Sequence, residues 1–185
     1  MSHVGVILYG PPASGKDTIT GELARIDPVY AHFRKLKVGG GRSKGYRLIS
    51  ADEANELRRR GLVLYENERY GNRYIVDRPS LDALFAAGRV PIVHMGQVAG
   101  VHALRRYPAT WLSVLLWCPR EITEQRARSR GSGDVSARLT VWDETTLDIE
   151  QHGKAAFTFR IDTDRHTASE AARLIHARLM PEQVS

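Results

Sequence analysis

Residues 10–17 read Gly10-Pro11-Pro12-Ala13-Ser14-Gly15-Lys16-Asp17, a G-x-x-x-x-G-K match in which Asp17 stands where serine or threonine is usual. The six residues before it, Val4–Tyr9, are apolar and predict a buried strand, while residues 17–26 carry the spacing of an amphipathic helix. A glycine-rich turn in that setting lets the backbone curl until several N–H groups point inward, and the helix beginning near Lys16 adds the positive end of its dipole. Such a nest holds a polyphosphate, with Lys16 reaching its outer oxygens. Gly10, Pro11, Pro12, Ala13, Ser14, Gly15, Lys16, Asp17 and Thr18 are therefore the candidate contacts for ATP. A carboxylate is a hard oxygen ligand, so Asp17 is the candidate ligand for Mg²⁺, with Thr18 or a bridging water as alternatives.

The rest of the chain alternates strand-like and helix-like segments, the pattern of a parallel sheet with crossover helices. Strands are predicted at 91–95, 111–117 and 157–161, and helices at 80–87, 98–107, 120–129, 135–149 and 167–179. The middle region differs, with short strand candidates at 46–49, 62–66 and 73–76. Between the first two of these, Ser50 and Glu53 stand at capping-box spacing and Gly61 at a C-terminal cap. The reading is an α/β, three-layer P-loop NTPase fold with a parallel core sheet, a small acceptor-binding subdomain and a helical lid. At 185 residues it forms a single domain, with core 1–30, 77–125 and 150–185, subdomain about 31–76 and lid about 126–149. The run Gly131-Ser132-Gly133-Asp134 is the candidate lid hinge.

With 27 basic against 21 acidic residues, the surplus of positive charge suits an anionic ligand. The run Arg58-Arg59-Arg60 falls in a helix's last turn, where cations complement the dipole, and no aromatic-interleaved RNA motif accompanies it, so no nucleic-acid partner is expected. Val4–Tyr9 is too short to span a bilayer, which leaves no membrane association and a cytoplasmic setting as the expectation. The lone Cys118 sits in an apolar run and reads as a buried thiol, and the histidines show no zinc-ligand spacing.

Several segments in order resemble the guanylate-kinase family and its ribose 1,5-bisphosphate phosphokinase relatives, the latter also through Gly15-Lys16-Asp17. They are the phosphate loop, Gly61-Leu62-Val63-Leu64-Tyr65, Gly71-Asn72-Arg73-Tyr74 and Ala87-Gly88-Arg89. The resemblance implies that Arg34 and Lys37, three apart, hold the acceptor's phosphate together with the hydroxyls of Tyr46 and Tyr74. It also implies that Arg126, Arg130 and Arg138 are lid arginines that clamp the transferring phosphoryl group. The family's guanine-reading groups are altered: Tyr65 stands at the carboxylate position unless a one-residue shift brings in Glu66, and Val76, His94 and Gly96 replace the remaining hydrogen-bonding residues. His94, at a strand's C-terminal end, is a candidate catalytic base or acceptor ligand.

The expected activity is transfer of the γ-phosphoryl of ATP, with Mg²⁺, to a small phosphorylated acceptor, either a nucleoside monophosphate or a pentose phosphate. Alternatives are guanylate kinase itself and, from another class, a non-catalytic guanylate-kinase-like binding module. The adenine contacts are placed no more closely than residues 162–164, after the last strand.

Overall fold

Strand β1 (Val4–Tyr9) sends alternate side chains into two different cores, which puts it at the centre of the molecule. Val6 and Leu8 face one side, where Ile19, Leu23, Ala171 and Ile175 pack on them. Ile7 and Tyr9 face the other, against Leu81, Phe85, Val98 and Leu104. The helices supplying these residues are α1 (Lys16–Ile26) and α7 (Ala168–Leu179) on the first face, and α3 (Arg78–Ala86) and α4 (Val98–Arg105) on the second. The computed structural model describes residues 3–41, 43–69, 71–131, 134–153 and 155–180. It shows the three-layer α/β/α architecture expected from the alternation of segments.

The central sheet is parallel and ordered β2-β7-β1-β8-β9, with β2 at Tyr30–His32, β7 at Val90–Met95, β8 at Thr110–Trp117 and β9 at Phe159–Asp162. The chain first moves from β1 to one side and later crosses to the other. The C-terminal end of β1 is therefore a topological switch point, where an open α/β sheet leaves a crevice.

A second, four-stranded sheet is ordered β4-β3-β6-β5, from β3 (Leu36–Val38), β4 (Arg47–Leu48), β5 (Val63–Arg69) and β6 (Asn72–Asp77). Helix α2 (Ala51–Arg59) closes its own small core through Ala54 and Leu57 against Leu36 and Ile75. Ser50 and Glu53 make the reciprocal capping box read from the sequence, and Gly61 follows at φ 66°. Two strands of three residues, β2 and β3, went unanticipated, and β2 joins the central sheet beside β7.

Helix α5 (Arg120–Ser129) ends at Gly131, φ 64°, and α6 (Val135–His152) follows; Ser132 and Gly133 of the predicted hinge lie outside the described residues. Helix α6 is bolted to the core. Trp142 Nε1 donates to Cys118 O at 3.0 Å, and Asp148 Oδ2 accepts from Tyr9 Oη at 2.8 Å and from the Val98 N–H at 2.7 Å. Cys118 is buried, as its apolar run implied. Among the described residues no helix is long and apolar enough to cross a membrane.

Candidate functional site

The loop between β1 and α1 is shaped by what its residues cannot avoid. A Cβ on Gly10 would lie 2.2 Å from Leu116 O and 2.7 Å from Ser14 Oγ, so the loop lies against β8 only because that side chain is missing. Gly15 caps α1 at φ 93°, and Ala13 holds a left-handed φ of 59°, a strain of about 1 kcal/mol that tight functional turns retain. Lys16 Nζ folds over the turn and donates to Gly10 O at 2.6 Å, Pro11 O at 2.8 Å and Ser14 Oγ at 3.2 Å. Burial pulls its ammonium down to about 8, against the opposing pull of Asp17.

This loop forms one wall of a cleft of about 270 Å³ at the switch point. Gly10, Pro12, Ala13, Ser14, Gly15, Lys16, Asp17 and Thr18 line it, and Pro11 alone of the predicted loop residues does not. The opposite wall comes from the second sheet and its connections: Lys35, Lys44, Gly45, Tyr46, Asn67, Arg69 and Tyr74. His94 and His32 lie between the two walls, and Arg130 reaches the rim from α5. The lining cations face only Asp17 as a lining carboxylate, which makes this an anion's environment.

The floor is an imidazole pair. His94 at the end of β7 packs against His32 at 4.5 Å between centroids with the rings tilted by 32°, hydrogen-bonds Thr20 Oγ1 through Nε2 at 2.7 Å, and turns Nδ1 to within 3.7 Å of Asp17 Oδ1. Burial holds His94 well below its ordinary value, with His32, Lys16 and Lys35 adding to the effect, and burial lowers His32 as well. Both rings are therefore neutral near pH 7 and able to hydrogen-bond without adding charge.

On the far wall Tyr46 and Tyr74 pack at 5.1 Å, and the Lys37 ammonium lies 5.8 Å and 5.9 Å from their ring centres while donating to Gly40 O. The resemblance thus led to three side chains that do come together, although Lys37 is 2% exposed and sits behind the tyrosines rather than in the cleft. Arg34 is turned outward: its guanidinium donates to Tyr46 O at 2.7 Å and does not line the cleft. Arg34 and Lys35 stand in the connection between β2 and β3, ahead of the first β3 residue Leu36, which packs in the small core. Lys35, which the three-residue spacing passed over, faces the ligand space instead.

The lid arginines separate. Arg130 lines the cleft. Arg126 lies behind the loop, where its Nη1 donates to Ala13 O and Thr163 Oγ1, both at 3.1 Å. It braces the phosphate loop against the segment after β9. Arg138 spends its guanidinium on Asp134, Nε to Oδ1 at 2.8 Å, one turn away on α6, and holds that carboxyl below its usual range. Neither points at a transferring group in this arrangement.

Tyr65 is also outside the cleft. Its hydroxyl donates to Gln97 Oε1, burial pushes it up to about 12, and its ring fills the space above Gly100, where a Cβ would come within 2.8 Å. Glu66, the alternative carboxylate, is claimed by Arg58 of α2 through two hydrogen bonds at 2.7 Å and 2.6 Å. The one-residue shift is thereby closed off, because β5 sends Glu66 to α2 and Asn67 and Arg69 to the ligand side. Asn67 and Arg69 were legible only as an i, i+2 pair in a strand whose register the sequence leaves open.

For Mg²⁺ the donor set fits in part. Asp17 is 65% exposed at the first turn of α1 with Thr18 beside it, both lining the cleft. Among the described residues no group of three or more His, Cys, Asp or Glu could hold a metal by itself. Asp17 and Thr18 would therefore share a hard cation with phosphate oxygens, the usual arrangement for Mg²⁺.

No family model matches the chain, and no curated protein matches it in sequence. Solved structures do match it in fold. Guanylate kinase from Anaplasma phagocytophilum superposes with TM-score 0.70 at 19% identity, covering 100% of this chain and 88% of that one. The tunicamycin resistance protein of Deinococcus radiodurans gives 0.54 at 18% identity over 96% and 95%. Shikimate kinase from Acinetobacter baumannii, in complex with shikimate, gives 0.51 at 14% identity over 98% and 95%. These likenesses establish a P-loop kinase-like fold. They spread across that wider group and do not single out the guanylate-kinase family that the sequence resembles.

Proposed function

We propose that the chain is an ATP-dependent phosphotransferase acting on a small phosphorylated molecule, a nucleoside monophosphate or a pentose phosphate. The observation that carries this reading is the pairing of a complete phosphate loop with a second, cationic wall across a cleft sized for a small molecule. ATP lies with its phosphates in the nest of residues 10–18 and its outer phosphates against Lys16. Asp17 with Thr18 would hold Mg²⁺, which would supply charge neutralisation at those phosphates. The acceptor's anionic group rests against Tyr46 and Tyr74 with Lys37 behind them, and His94 with His32 fixes its remaining polar groups. Phosphoryl transfer asks little covalent chemistry of a protein beyond bringing two anions into line and neutralising their charge.

Guanylate kinase is the weaker version of this reading. The two residues the resemblance offers at the guanine-reading carboxylate position are committed elsewhere, Glu66 to Arg58 and Tyr65 to Gln97. A site without buried hydrogen-bond readers gives up most discrimination among bases. The scaffold alternative is disfavoured because Gly15 and Lys16 are both present in the loop.

The test is ADP release from ATP and Mg²⁺ in the presence of nucleoside monophosphates and of pentose phosphates. Acceptor-dependent ADP that falls at least about 10³-fold in Lys16→Ala supports the proposal. ATP binding without turnover on any acceptor, or full activity in Lys16→Ala, refutes it.

A further inference from the structure

We infer that Lys35 is a catalytic cation, placed on the acceptor side of the cleft to share the transferring phosphoryl group with Lys16. The inference rests on the phosphotransferase reading and deepens it, because the spacing that led to Arg34 and Lys37 assigns Lys35 no role.

Lys35 lies in the short connection between β2 and β3, and its side chain lines the cleft that the phosphate loop also lines. Of the cations around it, Lys44 and Arg130 also line the cleft, and others are engaged elsewhere. Arg34 donates to Tyr46 O, Lys37 to Gly40 O and Arg47 to Asp77, while Arg126 and Arg138 are held by Thr163 and Asp134. Among the described residues the Lys35 ammonium has no hydrogen-bond acceptor and no ion-pair partner. Burial, and then the Lys16 ammonium, press against its charge. Two half-buried ammonium groups lining one cleft repel in the free protein, and a group perturbed in this way inside a cleft marks a functional site. An anion placed between them is attracted by both and reverses the penalty.

During transfer the bond from the γ-phosphorus to the bridging oxygen of ADP breaks, and its electron pair leaves with ADP. A bond forms from the same phosphorus to an acceptor oxygen. In between, charge spreads over the three equatorial oxygens, and Lys16 and Lys35 meet them from opposite sides without gaining or losing a proton. Lys35 sits on the rigid scaffold between two strands, so this neutralisation does not wait for an arginine to be carried in by a lid.

The experiment uses ADP, Mg²⁺ and fluoroaluminate, a mimic of the phosphoryl group in flight that needs no knowledge of the acceptor. For the wild type, fluoroaluminate tightens ADP binding. Lys35→Met keeps the affinity for ADP alone within about 2-fold, loses at least about 10-fold of the fluoroaluminate enhancement, and lowers kcat about 10²-fold on whichever monophosphate or pentose phosphate is turned over. Lys35→Arg restores most of both, and the melting temperature of Lys35→Met is no lower than that of the wild type. The inference is overturned if Lys35→Met retains the enhancement, or if only the KM for the acceptor rises while kcat holds. If the wild type shows neither enhancement nor acceptor-dependent turnover, the phosphotransferase reading falls and takes this inference with it. Wild-type turnover that persists in Lys35→Met sinks the inference alone.

Discussion

Replacing Lys35 with methionine removes a charge that the free protein holds at a disadvantage, so the variant is expected to be more stable than the wild type. Burial, and then repulsion from Lys16, move this ammonium from its usual 10.5 to about 8. At about 1.4 kcal/mol per unit that difference amounts to roughly 3 kcal/mol against the charged form. The side chain is half-buried, and solvent screening trims the gain to about 1–2 kcal/mol. For a chain of this size that raises the melting temperature by about 3–6 °C.

The sign with pH is a further check. Below about pH 8 the ammonium is charged in both the folded and the unfolded chain, and the full penalty acts on the fold. Between about 8 and 10.5 the folded state releases its proton first, so wild-type stability climbs through this window. The advantage of Lys35→Met is therefore largest at pH 7 and shrinks toward pH 10. Thermal or denaturant unfolding of both proteins at pH 7 and pH 10 measures it directly. A variant less stable than the wild type at pH 7, or an advantage that persists unchanged at pH 10, would refute the electrostatic reasoning.

Other consequences are as specific. Gly10→Ala drives a methyl into Leu116 O and Ser14 Oγ, so it should abolish ATP binding in a titration and destabilise by about 2 kcal/mol or more. Arg126→Ala frees Ala13 O and Thr163, so steady-state kinetics should show a higher KM for ATP with the acceptor's KM little changed, the reverse of what an acceptor clamp would give. Asp148→Ala leaves Tyr9 Oη and the Val98 N–H without their shared acceptor. It should cost about 1–3 kcal/mol and speed hydrogen exchange in α6 and the first turn of α4, whereas unchanged exchange there would show that α6 is held by other contacts.

What could be read from the chain alone was what is local. The phosphate loop is one strand, one turn and one helix at fixed spacing, so Gly10, Gly15 and Lys16 announce their geometry without any partner. The capping boxes at Ser50 and Thr167 and the apolar alternation of β1 are legible for the same reason, since each is decided within a few residues. Strands of three residues, such as β2 and β3, leave no room for a period, and they exist only because β7 and β6 offer edges to pair with.

Which of several adjacent cations meets the ligand is a matter of register, and register is set by distant chain. Arg34 donates to Tyr46 O, which lies twelve residues on, while Lys35 lines the cleft and Leu36 packs with Ile75. Arg126 is held against Ala13 because Thr163, far along the chain, arrives beside it. Glu66 goes to Arg58 because the pairing of β5 with β6 presents it to α2. The sequence thus determined that a tight glycine turn joins the first strand to the first helix and that a parallel α/β sheet carries it. The tertiary structure decided which charges face that turn, because side-chain direction follows from strand pairing and helix packing across dozens of residues.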